Sequence, residues 1–272
     1  MSAETEHSVT DVSHFGVVHQ VPDPGAMIEL FDRLKRLLHR PKAILLERLS
    51  VENARSVLDV RCGTGEDVAE MARRMPPGGE AAGLDASEAM IAEARRRHSG
   101  LGAGVTFRHG DVLSLPYPDQ AFDVCRAETV LVHVPDPGQA VAEIARVTRH
   151  GGRVGALEID EGSFVLDHPD QQMTRTILGA YSDSMACGWA GRQLPRLFRQ
   201  AGLTGVSVDP VVVLGPLEMV RALLDPAVTR LCDERVLTAE QVSGWWAALT
   251  RQAGEGNFLG GAIVFVVTGT RP

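Results

Sequence analysis

The sequence predicts an α/β protein with a parallel sheet and helices on both of its faces. Three observations carry this expectation. From residue 55 onward, short apolar runs alternate with helix-period patterns, which is the signature of parallel strands joined by crossover helices. Four of the five apolar runs end in a turn containing Gly or Asp. The 272 residues are 44% hydrophobic and 23% charged, an ordinary globular balance that fills one or two domains and buries a core without metals or disulfides.

The elements follow in order. Residues 1–20 are polar and histidine-containing and are expected to be loosely ordered. Over 25–50, Met27, Leu30, Phe31, Leu34, Leu37 and Leu38 recur at helical spacing. Pro41 interrupts the pattern, and Ile44 to Leu46 and Leu49 resume it. Ser56 to Val60 is the first strand, and Gly63-Thr64-Gly65 turns the chain. Val68, Met71, Ala72 and Met75 mark a helix that Pro76-Pro77-Gly78-Gly79 stops. Glu80 to Leu84 is the second strand, and Ser87 to His98 is a helix with Ser87 as its N-cap. Val105 to Arg108 and Ala121 to Ala127 are the third and fourth strands. Gln139 to Arg149 is a helix closed by Gly151-Gly152, and Arg153 to Ile159 is the fifth strand.

Charge and cysteine usage exclude several classes. With 27 basic against 35 acidic residues and no local basic run, a nucleic-acid backbone is not an expected partner. All but Lys35 and Lys42 of the basic residues are arginine, which suggests a GC-rich bacterial genome. Ala262 to Val267 is far short of a membrane span, and the N-terminus shows no apolar leader, so a cytoplasmic protein is expected. Cys62, Cys125, Cys187 and Cys232 have no metal spacing and read as reduced thiols, and no metal site is expected.

In parallel sheets, ligands sit beyond the carboxyl ends of the strands. After the first strand comes Asp59-Val60-Arg61-Cys62-Gly63-Thr64-Gly65. This turn lacks the Gly-Lys-Ser/Thr of a phosphate loop. It also breaks the G-x-G-x-x-G dinucleotide pattern at Arg61 and Val68, which opposes a nicotinamide-dependent oxidoreductase. Glu66 and Asp67 in the next helical turn suit the helix dipole and repel a pyrophosphate. The turn therefore reads as a nucleoside site without phosphates. Asp85 ends the second strand and stands where a carboxylate accepts from both ribose hydroxyls, or else caps the next helix. After the third strand, Asp111 either accepts from an adenine amino group beside Val112 or shapes a turn.

Together, Val57 to Gly65, Gly83 to Met90 and Gly110 to Val124 resemble the motifs of class I S-adenosylmethionine-dependent methyltransferases, in their ubiquinone/menaquinone-biosynthesis-like branch. Leu131 to Pro137 and Arg149 to Arg153 continue the likeness, which covers roughly residues 50–160. Gly191 to Pro195 and the Ala262 to Gly269 strand look like the end of the same fold. The resemblance implies a Rossmann-like sheet of seven strands in the order 3-2-1-4-5-7-6 with strand 7 antiparallel, the cofactor S-adenosyl-L-methionine, and a small-molecule acceptor, natural-product or quinone-like. It leaves room for a homodimer. Gly63, Thr64 and Gly65 would line the methionine half of the cofactor and Asp59 would orient its ammonium. Asp85 and Ala86 would lie at the ribose, Asp111 and Val112 at the adenine, and Glu128 beside the methionine.

Arg61 departs from the family, which more often has Gly or Ala there. Either its side chain points away, or it pairs with the methionine carboxylate or Glu128, or it marks altered cofactor use, such as a scaffold for cyclisation. Methyl transfer needs alignment, plus a base if the acceptor carries a proton. His133, after the fourth strand, is either that base or a residue that shapes its loop. Glu158 and Asp160, after the fifth strand, are candidate acceptor contacts. Residues 1–50 read as an N-terminal helical cap on a 51–272 domain with helical lid insertions at about 161–191 and 215–258. The first carries Met173, Ile177, Ala180, Tyr181 and Met185 at helical spacing, a stripe that either packs in the core or faces an apolar acceptor as a lid, with Tyr181 and Trp189 over the acceptor in the second case. The second insertion carries Trp245-Trp246.

Overall fold

The computed structural model describes residues 36–272. The chain runs α1 (His39–Leu49), β1 (Ser56–Val60), α2 (Glu66–Arg74), β2 (Glu80–Asp85), α3 (Glu88–Arg97), β3 (Val105–His109), β4 (Phe122–Glu128) and α4 (Pro137–Val147). It continues through β5 (Thr148–Leu166), α5 (Gln171–Asp183), α6 (Ala190–Gln200), β6 (Thr204–Leu214), α7 (Leu217–Asp233), α8 (Ala239–Gly254) and β7 (Gly260–Thr270). The seven strands form one sheet in the order β3-β2-β1-β4-β5-β7-β6, as the resemblance implied. β1 to β5 are parallel, and β7 runs antiparallel to β5 and β6.

Helices cover both faces, so β1 is buried along its whole length. On one face, α1, α2 and α3 bring Leu45, Leu49, Val68, Met71 and Ile91 onto Val57 and Val124. On the other, α4 and α6 bring Ile144, Leu194 and Phe198 onto Leu58, Cys125 and Ala156. The helices between β5 and β7 join that second core through Ile177, Leu224, Trp245 and Leu249. There the Trp245 indole N–H donates to Thr174 Oγ1 at 3.1 Å, so α8 is tied to α5 by a satisfied buried bond.

Local chemistry sets the boundaries. Met27, Leu30, Phe31 and Leu34 of the expected first helix, and residues 1–20, lie outside the described residues. Arg36 and Leu37 are helical, the chain turns at Leu38, and α1 resumes at His39. Pro41 falls in the first turn of α1, where its missing N–H costs nothing. Ser87 caps α3 as expected, accepting from Met90 N at 3.4 Å. α4 begins two residues earlier than expected because Pro137 takes its first position and Asp136 accepts from Gln139 N at 2.9 Å. It also ends earlier, at Val147: Thr148 already pairs with Phe122, and Gly151 at φ +76° returns the chain so that Arg153 pairs with Val124. β5 outruns its expected end at Ile159, continuing past an irregularity between Asp160 and Val165 to Leu166. The first insertion therefore opens as strand before becoming helix.

Candidate active site

A cavity of about 360 Å³ lies beyond the carboxyl ends of β1, β2 and β4 and reaches under α5 and α7. Its first wall is the turn after β1. Gly63 sits at φ +54°, and a Cβ there would meet no atom within 4 Å, because that side opens onto the cavity. Gly65, at φ +85°, lies behind the wall as the N-cap of α2, and a Cβ there would come 2.6 Å from the Phe107 ring. Thr64 lines the cavity and donates to Glu66 at 2.5 Å.

Asp85 faces the same space and holds two amides, Gly63 N through Oδ2 and Ser87 N through Oδ1, both at 2.9 Å. It thus ties the glycine turn to the start of α3 while bordering the cavity. Ala86 and Val112 line the wall beside it. Asp111 also borders the cavity, and its Oδ1 accepts from Leu113 N at 2.9 Å in a local turn.

The adjoining wall is ionic. Parallel pairing sets Asp59 of β1 opposite Arg126 of β4, and both are buried. Arg126 Nη1 lies 3.1 Å from both oxygens of Asp59 and 3.3 Å from Asp67 of α2, and its Nη2 donates to Glu128. Lys42 of α1 bridges Asp67 at 3.0 Å and Glu128 at 2.7 Å. Burial pushes the Asp59 carboxyl up against the pull of Arg126, whereas Arg126 and Lys42 offset the burial of Asp67 and hold it at about 2. With Glu66, Asp85 and Asp111 added to these carboxylates and Arg61 and Arg97 to the cations, acids outnumber bases on the cavity wall and its net sign is negative. That sign suits a ligand carrying an ammonium or a sulfonium.

Arg61 takes the left-handed conformation, φ +61°, which is why glycine is favoured at this bend. Its guanidinium crosses to the end of β4, where it donates to the Thr129 carbonyl and lines the cavity. Thr129 is itself left-handed at φ +48°, so strained backbone gathers at the mouth of the site. His133 borders the cavity on the loop after β4. Burial, with Arg61 nearby, holds its imidazole well below the usual histidine value.

Glu158 is displaced from its expected role. It is fully buried, and its Oε1 accepts from Val130 N and Leu131 N, both at 2.7 Å, so it anchors the loop that carries His133. Asp160 likewise turns away to Arg192 at 2.6 and 2.7 Å. Trp189, expected over the acceptor, is 53% exposed and lies against the Arg192 guanidinium, 4.5 Å from ring centroid to Cζ. The Asp160–Arg192 pair holds that cation where the indole packs on it. Tyr181 does reach the cavity, beside Phe164, Met185 and Glu161.

Three residues of this site, Lys42, Arg126 and Glu161, escape a reading of motifs, and Asp67, read only as opposing a pyrophosphate, proves to be part of the ion network as well. Arg126 carries a signal nonetheless: a charge inside an apolar parallel strand needs a buried partner, and strand register then selects Asp59. Glu161 gives no such signal, because its placement depends on β5 continuing past Ile159.

The seven-stranded sheet and a glycine-turned cleft at its strand ends define a Rossmann-like fold with a ligand-sized cavity at the carboxyl edge. A methyltransferase-domain family model matches residues 57–152. An uncharacterized 37.1 kDa protein in transposon TN4556 of Streptomyces fradiae is 39% identical over 62% of this chain and 49% of its own length. Methyltransferase GfsG of Streptomyces halstedii is 35% identical over 55% of this chain and 51% of its own. The chain thus spans about half the length of these two relatives. The demethylmenaquinone methyltransferase of Halalkalibacterium halodurans is 30% identical over 61% of this chain and 74% of its own. Among solved structures, the Bacillus protein YcgJ superposes with TM-score 0.60 at 17% identity, covering 86% of this chain and 98% of its own. The [4+2]-cyclase SpnF superposes with TM-score 0.54 at 26% identity, covering 86% and 80%. The chain belongs to the class I S-adenosylmethionine-dependent methyltransferases. No helix among the described residues is long and apolar enough to cross a membrane.

Proposed function

We propose that the chain transfers a methyl group from S-adenosylmethionine to a small, largely apolar acceptor, natural-product or quinone-like. One observation carries this reading: the cavity runs from the negative wall at the glycine turn to an apolar end made by Phe164, Met185, Met219 and Leu223. Gly63 and Thr64 would hold the methionine half, with Asp59 and Glu128 drawing its ammonium. Asp85 and Ala86 would take the ribose, and Asp111 and Val112 the adenine. When bound, the cofactor supplies a methyl group on a sulfonium whose charge is lost on transfer. The chain's own residues align the acceptor and exclude water. Leu37 and Leu38 in the cavity wall support an N-terminal cap, and α5 and α7 are the lid elements nearest the acceptor.

Calorimetry with S-adenosylmethionine and S-adenosylhomocysteine tests the reading, and a folded protein that binds neither removes it. Asp85→Ala is expected to weaken binding by ~1–3 kcal/mol, since it leaves polar partners unsatisfied. Unchanged affinity would assign Asp85 to the Gly63 and Ser87 amides alone. The similarity to SpnF supports a second reading, a non-methylating reaction such as cyclisation on the same bound cofactor. A product heavier by one methyl group separates the two.

We place His133 in the cofactor shell as a neutral imidazole. The unfolded chain protonates it below about pH 6.5 and the folded chain resists, so its contribution to stability is present above that pH and lost as pH falls. His133→Asn should therefore flatten the acid side of the stability profile in urea unfolding, and an unaltered acid side would show the imidazole to be freely titrating.

A further inference from the structure

We propose that Glu161, oriented by Tyr181, is the general base of the acceptor site, and that the acceptor is an apolar molecule carrying an acidic hydroxyl. This rests on the methyl-transfer reading above. The two preceding acids of β5 are committed elsewhere, Glu158 to the Val130 and Leu131 amides and Asp160 to Arg192. The irregularity after Asp160 interrupts the strand's pairing with β7, and Glu161 there faces the cavity. It is buried, and the side chain of Tyr181 from α5 interacts with its carboxyl. The Phe164 ring meets Tyr181 edge-on with centroids 6.0 Å apart, which fixes the phenol's direction. A carboxyl in an apolar wall is costly to keep unless it has work to do there.

Burial pushes the Glu161 carboxyl up to about 7, where it both accepts and releases a proton near neutrality. Burial, and then Glu161 itself, raises the Tyr181 phenol well above its ordinary value, so the phenol keeps its proton and donates it. The other charged groups near Glu161 are few. Asp160 is held by Arg192, Arg61 and His133 stand elsewhere on the cavity wall, and β7 and α7 supply apolar residues such as Ala262, Val264 and Met219. In the step, the acceptor O–H bond breaks and its proton passes to Glu161. The oxygen lone pair forms the new O–CH3 bond, and the S–CH3 pair returns to sulfur, leaving a neutral thioether.

The test uses the full chain and 2-naphthol, an apolar hydroxyl probe whose excited state gives its proton to an adjacent base and then emits as naphtholate. Wild-type protein loaded with S-adenosylhomocysteine should bind 2-naphthol saturably and show naphtholate emission, and Glu161→Gln should bind it and emit as neutral naphthol. With S-adenosylmethionine, Glu161→Gln should lower kcat ~10²–10⁴-fold with little change in KM and remove the acidic limb of the pH profile. Tyr181→Phe should keep that limb but move it to higher pH, because the carboxylate loses a donor. S-adenosylhomocysteine affinity serves as the folding control for both variants. Unchanged emission and turnover in Glu161→Gln overturn the base, and a loaded wild type that does not bind 2-naphthol overturns the acceptor class. If 2-naphthol binds without turnover, the emission decides. A wild type that fails to bind S-adenosylhomocysteine overturns the methyl-transfer reading instead.

Discussion

Arg126→Met is expected to cost ~3–5 kcal/mol of folding stability, as removing one partner of a buried ion pair leaves the other charge uncompensated. The methionine fills much of the space, so the loss is electrostatic. Asp59 loses a guanidinium 3.1 Å away, and Asp67 and Glu128 keep only Lys42 as their common cation. The pH dependence follows from the direction of the Asp59 shift. Its carboxyl is already raised by burial, and without Arg126 it rises further. A carboxyl with a raised native pKa favours the folded state at low pH and penalises it as pH rises. The deficit of Arg126→Met against wild type should therefore be largest at pH 8 and shrink toward pH 5 in urea titrations. Asp59→Leu combined with Arg126→Met should recover most of the loss, because the pair is removed together. A single-variant deficit below about 1 kcal/mol would mean that solvent screens the pair as it does on a surface.

That network also marks how far the sequence could be read. The glycine turn, Asp85 and Asp111 are legible because each sits directly after a short apolar strand, and local chain geometry delivers them to one edge of the sheet. Arg126 and Asp59 meet only through the register of β1 with β4, a contact between residues far apart in sequence. Lys42 joins them only because α1 packs on the face that carries α2. The same limit explains the acceptor side. Helical spacing puts Tyr181 on the face of α5 that lines the cavity, whereas Glu158 and Trp189 point elsewhere, since strand continuation, loop amides and a neighbouring guanidinium decide where those side chains point. Alternation along β5 cannot reveal Glu161, because the irregularity after Asp160 resets it.

Glu158→Ala is expected to destabilise the fold by roughly 2–5 kcal/mol, with two buried amides left unsatisfied at about 1–3 kcal/mol each. The affected amides, Val130 N and Leu131 N, begin the turn that carries His133. Cofactor affinity should fall with stability, although Glu158 itself stands behind the cavity wall. Glu158→Gln keeps an oxygen acceptor for both amides and should retain the loop. It also removes a titration. Burial pushes the Glu158 carboxyl up to about 7, against the pull of those amides, from an ordinary value near 4.5. Between those two values the folded chain holds a proton that the unfolded chain has released, so wild-type stability falls as pH rises through the window. Glu158→Gln lacks that fall and should gain on wild type by up to about 3 kcal/mol between pH 5 and pH 8. Urea unfolding at the two pH values measures this. A Gln variant that tracks wild type at both would show Glu158 to be ionised throughout and held by its amides alone.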